Sequence, residues 1–123
     1  MSMLPLISLV DDDDAVRTSL QWLISSAGFR AEVFATAEDF LHARRQRGTA
    51  CLIIDVRMPG MSGLELQRRL TRVHCPIPII FITAHEDDDT RTQALHAGAV
   101  AFLSKPFSDE ALLGAVESAL QSV

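Results

Sequence analysis

Cys51-Leu52-Ile53-Ile54-Asp55-Val56-Arg57-Met58-Pro59-Gly60 is the stretch on which the fold turns. Four consecutive apolar residues without helical periodicity read as a strand buried on both faces, the kind found inside parallel sheets. The Pro-Gly pair that follows cannot continue a strand. Asp55 therefore closes the strand, and a carboxylate there points into the crevice at the carboxyl edge of an open α/β sheet, where ligands bind in such folds.

Working outward, apolar runs and amphipathic stretches alternate five times. Leu6-Ile7-Ser8-Leu9-Val10 reads as a strand. Val16, Leu20, Leu23, Ile24 and Ala27 then share one helical face up to Gly28. Ala31-Glu32-Val33-Phe34 is a short strand, and Thr36-Ala37-Glu38-Asp39 opens a helix carrying Phe40 and Leu41. Beyond Asp55, Ser62-Gly63-Leu64-Glu65 has capping-box spacing and starts a helix with Leu66, Leu70 and Val73 inward. Pro76 and Pro78 flank the entry to Ile79-Ile80-Phe81-Ile82. A polar helix is expected from about Glu86 to His96, then a strand at Val100-Ala101-Phe102-Leu103, then a helix capped by Ser108 with Leu112, Val116 and Leu120 buried. Five βα units of this length imply an α/β domain, a doubly wound parallel sheet with helices on both faces.

With 123 residues, 48% hydrophobic and 22% charged, the chain is expected to form one globular domain over 1–123. Its formal net charge of −5 argues against a direct grip on nucleic acid, which needs basic patches. No apolar stretch approaches the roughly 18 residues of a membrane span. Met1-Ser2-Met3-Leu4-Pro5 lacks the layout of a signal peptide, so the expected location is cytoplasmic, with no membrane partner. Cys51 and Cys75 lack ligand spacing and read as buried thiols. His42, His74, His85 and His96 are scattered, which argues against a transition-metal site.

Polar residues gather where the strands end: Asp11 and Asp12 after the first, Asp55 on the third, Thr83 on the fourth, Lys105 after the fifth. In a parallel sheet these ends share one edge, so residues nearly a hundred positions apart converge. Clustered carboxylates raise one another's pKa values unless a cation sits among them. Oxygen-only donors favour Mg2+ or a similar hard cation such as Mn2+. A metal and a lysine can together offset charge on a phosphoryl group in transfer, while one carboxylate is the nucleophile.

Val10-Asp11-Asp12, the segment Asp55 to Gly63, Ile82-Thr83-Ala84 and Lys105-Pro106-Phe107 together resemble the four signature segments of a bacterial two-component response-regulator receiver domain. The resemblance runs from Leu6 to about Leu120 with every segment in order, and is nearest to receivers of the NarL/FixJ type. It implies a flavodoxin-like doubly wound (βα)5 fold with strand order 2-1-3-4-5. It also implies that Asp55 accepts a phosphoryl group from a sensor histidine kinase. Asp11, Asp12 and Asp55 would hold Mg2+ with the backbone carbonyl of Arg57, while Lys105 and Thr83 would contact the phosphate. Phe102 would be a switch aromatic turning inward when Thr83 moves, and Lys105-Pro106 would be a cis peptide. Arg57 and His85 would flank the hydrolytic water and set the dephosphorylation rate. The face of the fourth helix, fifth strand and fifth helix would carry dimerisation or docking of an output domain. That domain would lie outside this chain and bind DNA if the NarL/FixJ likeness holds. The chain is then a stand-alone receiver or a piece of a longer protein, with self-directed chemistry and not an enzyme acting on outside substrates.

Plainer readings and rival chemistries stand beside this one. Asp13 and Asp14 read as solvated acidity at a helix N-terminus, as does the run Glu86-Asp87-Asp88-Asp89. A phosphatase of the haloacid-dehalogenase type would need an acid two residues after the nucleophile, where Arg57 stands and cannot donate a proton. A flavodoxin-like FMN binder would need a small, hydroxyl-rich first loop, and Asp11-Asp12-Asp13-Asp14 would repel its phosphate.

Overall fold

The computed structural model describes residues 4–44, 46–85 and 87–121. Glu86, part of the second acidic run, and Met1-Ser2-Met3, in the stretch read for a signal peptide, lie outside the described residues. The order is β1 (Leu6–Val10), α1 (Asp14–Ser26), β2 (Arg30–Phe34), α2 (Ala37–His42), a 3-10 turn (Gln46–Gly48), β3 (Cys51–Asp55), α3 (Gly63–Arg72), β4 (Ile79–Thr83), α4 (Asp88–His96), β5 (Ala101–Ser104) and α5 (Asp109–Gln121). The strands form one parallel sheet in the order β2-β1-β3-β4-β5.

Both faces of the sheet are covered, so the central strands β1, β3 and β4 are buried at every position and mostly apolar instead of alternating. Successive side chains still point to opposite sides. Leu52 and Ile54 join Phe40, Leu66, Leu70 and Phe81 under α2, α3 and α4, while Cys51 and Ile53 join Leu20, Ile24, Leu112 and Val116 under α1 and α5. Truncating a fully buried residue here, such as Ile54→Ala, costs about 2–5 kcal/mol through lost burial and the cavity left behind. Both cysteines are buried free thiols, and burial pushes Cys51 up to about 12. No helix among the described residues is long and apolar enough to cross a membrane.

Helix starts follow local chemistry. Asp13 accepts from the amides of Ala15 and Val16, Thr36 from Asp39 and Ser108 from Ala111. Ser62 and Glu65 form the reciprocal capping box before α3, and a cap of this kind is worth about 1 kcal/mol. Two inward assignments fail. Ala27 and Val73 are exposed, because each is the capping residue at the end of its helix, where the chain leaves the buried face. Val73 is 54% exposed. The side chain that α3 buries in addition to its leucines is Gln67, whose amide donates to the Ala94 carbonyl at 3.2 Å. The fourth helix also starts two residues later than the periodicity suggests, with Asp87 as its cap.

Candidate functional site

Because the sheet is parallel, β1, β3 and β4 end on the same edge. Asp55, the last residue of β3, pairs with Ile82, and Thr83, the last of β4, pairs with Ser104 of β5. Asp11 directly follows β1, with its amide bonded to the Phe34 carbonyl. Asp55 is buried, 7% exposed, and Asp11 more so. Lys105 reaches over from beyond β5 and donates to Asp11 Oδ2 at 2.9 Å and to Asp55 Oδ2 at 3.1 Å. The other oxygen of each carboxylate is held by backbone: Asp55 Oδ1 accepts from the Arg57 amide at 3.0 Å, and Asp11 Oδ1 from the Asp13 amide at 2.9 Å.

Asp12 is exposed at the rim, and Asp11, Asp12 and Asp55 each offer an oxygen within 4.8 Å of the others. Three hard oxygen donors with one ammonium shared between two of them match a divalent hard cation in donor type and charge. Burial is the main effect on Asp55 and lifts its pKa above the ordinary 3.8, although the Arg57 amide and Lys105 pull the other way. Burial is also the largest single effect on Lys105 and lowers it. The combined hydrogen bonds and attraction of Asp11 and Asp55 outweigh burial and leave the ammonium above its ordinary 10.5.

Thr83 is buried at the same edge, but its hydroxyl is turned onto the following loop. It donates to the His85 carbonyl at 2.9 Å and accepts from the His85 amide at 3.1 Å. Phe102 is already inside, 6% exposed, with its ring 6.3 Å from that of Phe81. An inward aromatic therefore coexists here with an unmoved Thr83. The physical reason is that a phenylalanine has no hydroxyl to keep in water, so the interior contact is favoured without further help. Arg57 extends along the surface with its guanidinium 3.5 Å from Asp87, and the His85 side chain is exposed. The Lys105-Pro106 peptide bond is cis.

Two residues that shape the site carry no role in the sequence reading. A Cβ at Gly63 would lie 2.7 Å from the Asp55 carbonyl oxygen and 3.0 Å from the Phe81 ring, so α3 can begin this close to Asp55 only with glycine there. Glu38 of α2 accepts from the Met61 amide at 3.3 Å. It lies so near Gly60, at φ +78°, that a Cβ there would come within 2.7 Å of Glu38 Oε2. This ties α2 to the loop that follows Asp55. A glycine opening a helix is a usable sequence signal, whereas a contact across 23 positions leaves none.

The family described as response regulator receiver domain matches residues 7–117. Among curated proteins, the response regulator protein TmoT of Ectopseudomonas mendocina is 48% identical over 115 residues, covering 94% of this chain and 52% of that protein. The transcriptional regulatory protein FixJ of Bradyrhizobium diazoefficiens is 43% identical, covering 94% of this chain and 56% of its own length. The crystal structure of FixJ-N superposes with a TM-score of 0.88 at 38% identity, covering 100% of this chain and 98% of that one. The chain thus spans about half the length of the curated relatives it matches.

Proposed function

The chain belongs to the response regulator receiver domain family, a module of two-component signalling, and from that premise we propose that Asp55 is its phosphoacceptor. The observation that carries this reading is a buried strand-end carboxylate sharing one lysine with a second carboxylate, with a third at the rim. A carboxylate oxygen of Asp55 attacks the phosphorus of a histidine-kinase phosphohistidine. The O–P bond forms as the P–N bond breaks, and the imidazole leaves, which gives an acyl phosphate on Asp55. Asp11, Asp12 and Asp55, with the Arg57 backbone carbonyl, would hold Mg2+ or Mn2+, which neutralises part of the phosphoryl charge. Lys105 is placed to follow the developing charge from the carboxylate to the phosphate. Receiver domains generally bind Mg2+, and the donor set here suits it.

The chemistry is self-directed: the protein is its own substrate and the product is a switched surface. An acyl phosphate carries about −1.5 to −2 charges in place of the carboxylate's −1, on three strongly accepting oxygens. Thr83 would give up the His85 backbone and donate to a phosphate oxygen, which reshapes the α4-β5-α5 face. Moving a two-state equilibrium from 1:99 to 99:1 takes about 5.5 kcal/mol, so Thr83 cannot do this alone and Lys105, the cation and backbone amides must contribute. We assign that face to homodimerisation or to docking of an output domain. The relative FixJ is named a transcriptional regulatory protein, and we assign to the whole protein a transcriptional output, a DNA-binding output domain and a cytoplasmic location. Arg57 and His85 carry neither a carboxylate nor an amide side chain to orient water. They are assigned to shielding the phosphate and prolonging its life.

Intact-mass measurement after incubation with acetyl phosphate tests the central step. One phosphoryl group is expected with Mg2+ and none with chelator. Continued labelling of Asp55→Asn would overturn the assignment. For the lifetime, the double variant Arg57→Asn/His85→Glu should lose phosphate faster than the parent; an equal or slower rate removes the shielding role.

A further inference from the structure

The chain has eleven lysines and arginines, and six of them fall in two short stretches, 41–48 and 61–75. Those stretches contain one carboxylate, Glu65, which is bound into the cap of α3. They surround the ends of α2 and α3, where the chain turns back to begin β3 and β4. In a parallel sheet this is the edge opposite Asp55.

The cations divide sharply by what they touch. Away from these stretches, Arg17 holds Asp14 and the Asp11 carbonyl, Arg30 holds the Leu4 carbonyl, Arg57 faces Asp87, and Lys105 bridges Asp11 and Asp55. Arg44, Arg47, Arg68, Arg69 and Arg72 are all exposed, and none of their guanidiniums has a hydrogen bond or ion pair among the described residues. Arg72 lies at helical spacing from both Arg68 and Arg69, where like charges repel, and Glu65, three and four residues before Arg68 and Arg69, is the one carboxylate of this helix face. Arg69 joins two adjoining clefts. One, of about 280 Å3, has Arg44, Arg47 and Arg69 at its rim over Leu41, Leu70 and Val73. The other, of about 220 Å3, is lined by Arg68, Arg69 and Arg72 with Met61 and Glu65, the latter engaged in the α3 cap.

We propose that this arginine face, built by the ends of α2 and α3, docks an acidic amphipathic segment of a protein partner, with carboxylates on the guanidiniums and an aliphatic side chain against Leu41, Leu70 and Val73. Guanidinium forks match carboxylates in a bidentate manner. The apolar floor separates this partner from nucleic acid, whose sugar-phosphate chain carries charge but no aliphatic group for the half-exposed Val73. The net charge of −5 also repels a long polyanion, whereas a short segment within a Debye length of about 8 Å meets chiefly the arginines.

The test uses a fluorescein-labelled synthetic peptide of alternating glutamate pairs and leucines, followed by fluorescence anisotropy at low salt. Arg47→Gln/Arg69→Gln is compared with Gln21→Glu/Ser25→Glu on α1, a variant pair of equal net-charge change placed far from the clefts. The first should weaken binding about tenfold or more and the second less than about twofold. Circular dichroism melts confirm that both variants remain folded. Absence of peptide binding, equal weakening by the two variants, equal binding of an all-aspartate peptide, or tighter binding of an oligothymidylate of the same charge would each overturn the proposal.

Discussion

Asp11–Asp14 and Asp87–Asp89 are runs of the same side chain, each leading into a helix, α1 and α4. In the second run every aspartate acts locally. Asp87 caps α4, and the Thr90 hydroxyl and Asp89 amide hold its carboxyl below the ordinary range, with Arg57 helping least. Asp88 and Asp89 sit in solvent near the helix N-terminus, where negative charge is favoured. The first run is split. Asp13 and Asp14 do the same local work, whereas Asp11 is buried and shares Lys105 with Asp55, and Asp12 joins them at the rim. What separates the runs is position relative to the sheet. Asp11 follows a central strand adjacent to β3, while the β4–α4 loop lifts Asp87 away before the helix begins.

The largest test of this contrast is metal affinity. Asp11→Ala or Asp12→Ala should weaken Mg2+ binding, followed by isothermal titration calorimetry, by about tenfold or more, while Asp88→Ala leaves it within about twofold. Equal losses in the two runs would mean that general acidity, not the assembled site, attracts the ion.

A smaller effect should make the runs alike. Asp13→Ala and Asp87→Ala each remove a helix cap and should each lower Tm by several degrees. Neither should change Mg2+ affinity appreciably. A cap loss at only one of them would show that the two helix starts are not equivalent.

Asp55→Asn should raise stability at neutral pH in chelator by on the order of 1 kcal/mol. Burial lifts the folded-state pKa of Asp55 above the ordinary 3.8, so ionisation of this group weakens the native state at higher pH. The advantage of the variant should therefore shrink as pH falls towards 3.8. Lys105 works at the other end of the scale. Its raised pKa adds stability that is present below 10.5 and is lost as pH rises beyond it. Urea unfolding across pH reads both, and an Asn variant less stable than the parent at pH 7 would mean that Lys105 gains more from Asp55 than burial costs. The smallest change belongs to the exposed Arg57–Asp87 pair. Removing Arg57 should alter stability by less than about 1 kcal/mol, because solvent screens the charges.

What could be read from the chain directly was whatever depends on neighbours in sequence. Buried strands appear as apolar runs, helix starts as capping residues, and the strand-end positions of Asp55 and Thr83 follow from where those runs stop. The order of the signature segments was enough to indicate the family. Other features needed the tertiary structure: that Ala27 and Val73 face outward, that Gly63 must be glycine for α3 to approach Asp55, that Glu38 holds the loop at Met61, and that the arginines of two separated stretches form one face. The first two face outward because their helices end there; the others depend on contacts between distant segments, whose geometry is set by how helices pack on the twisted sheet and leaves no periodicity in the sequence.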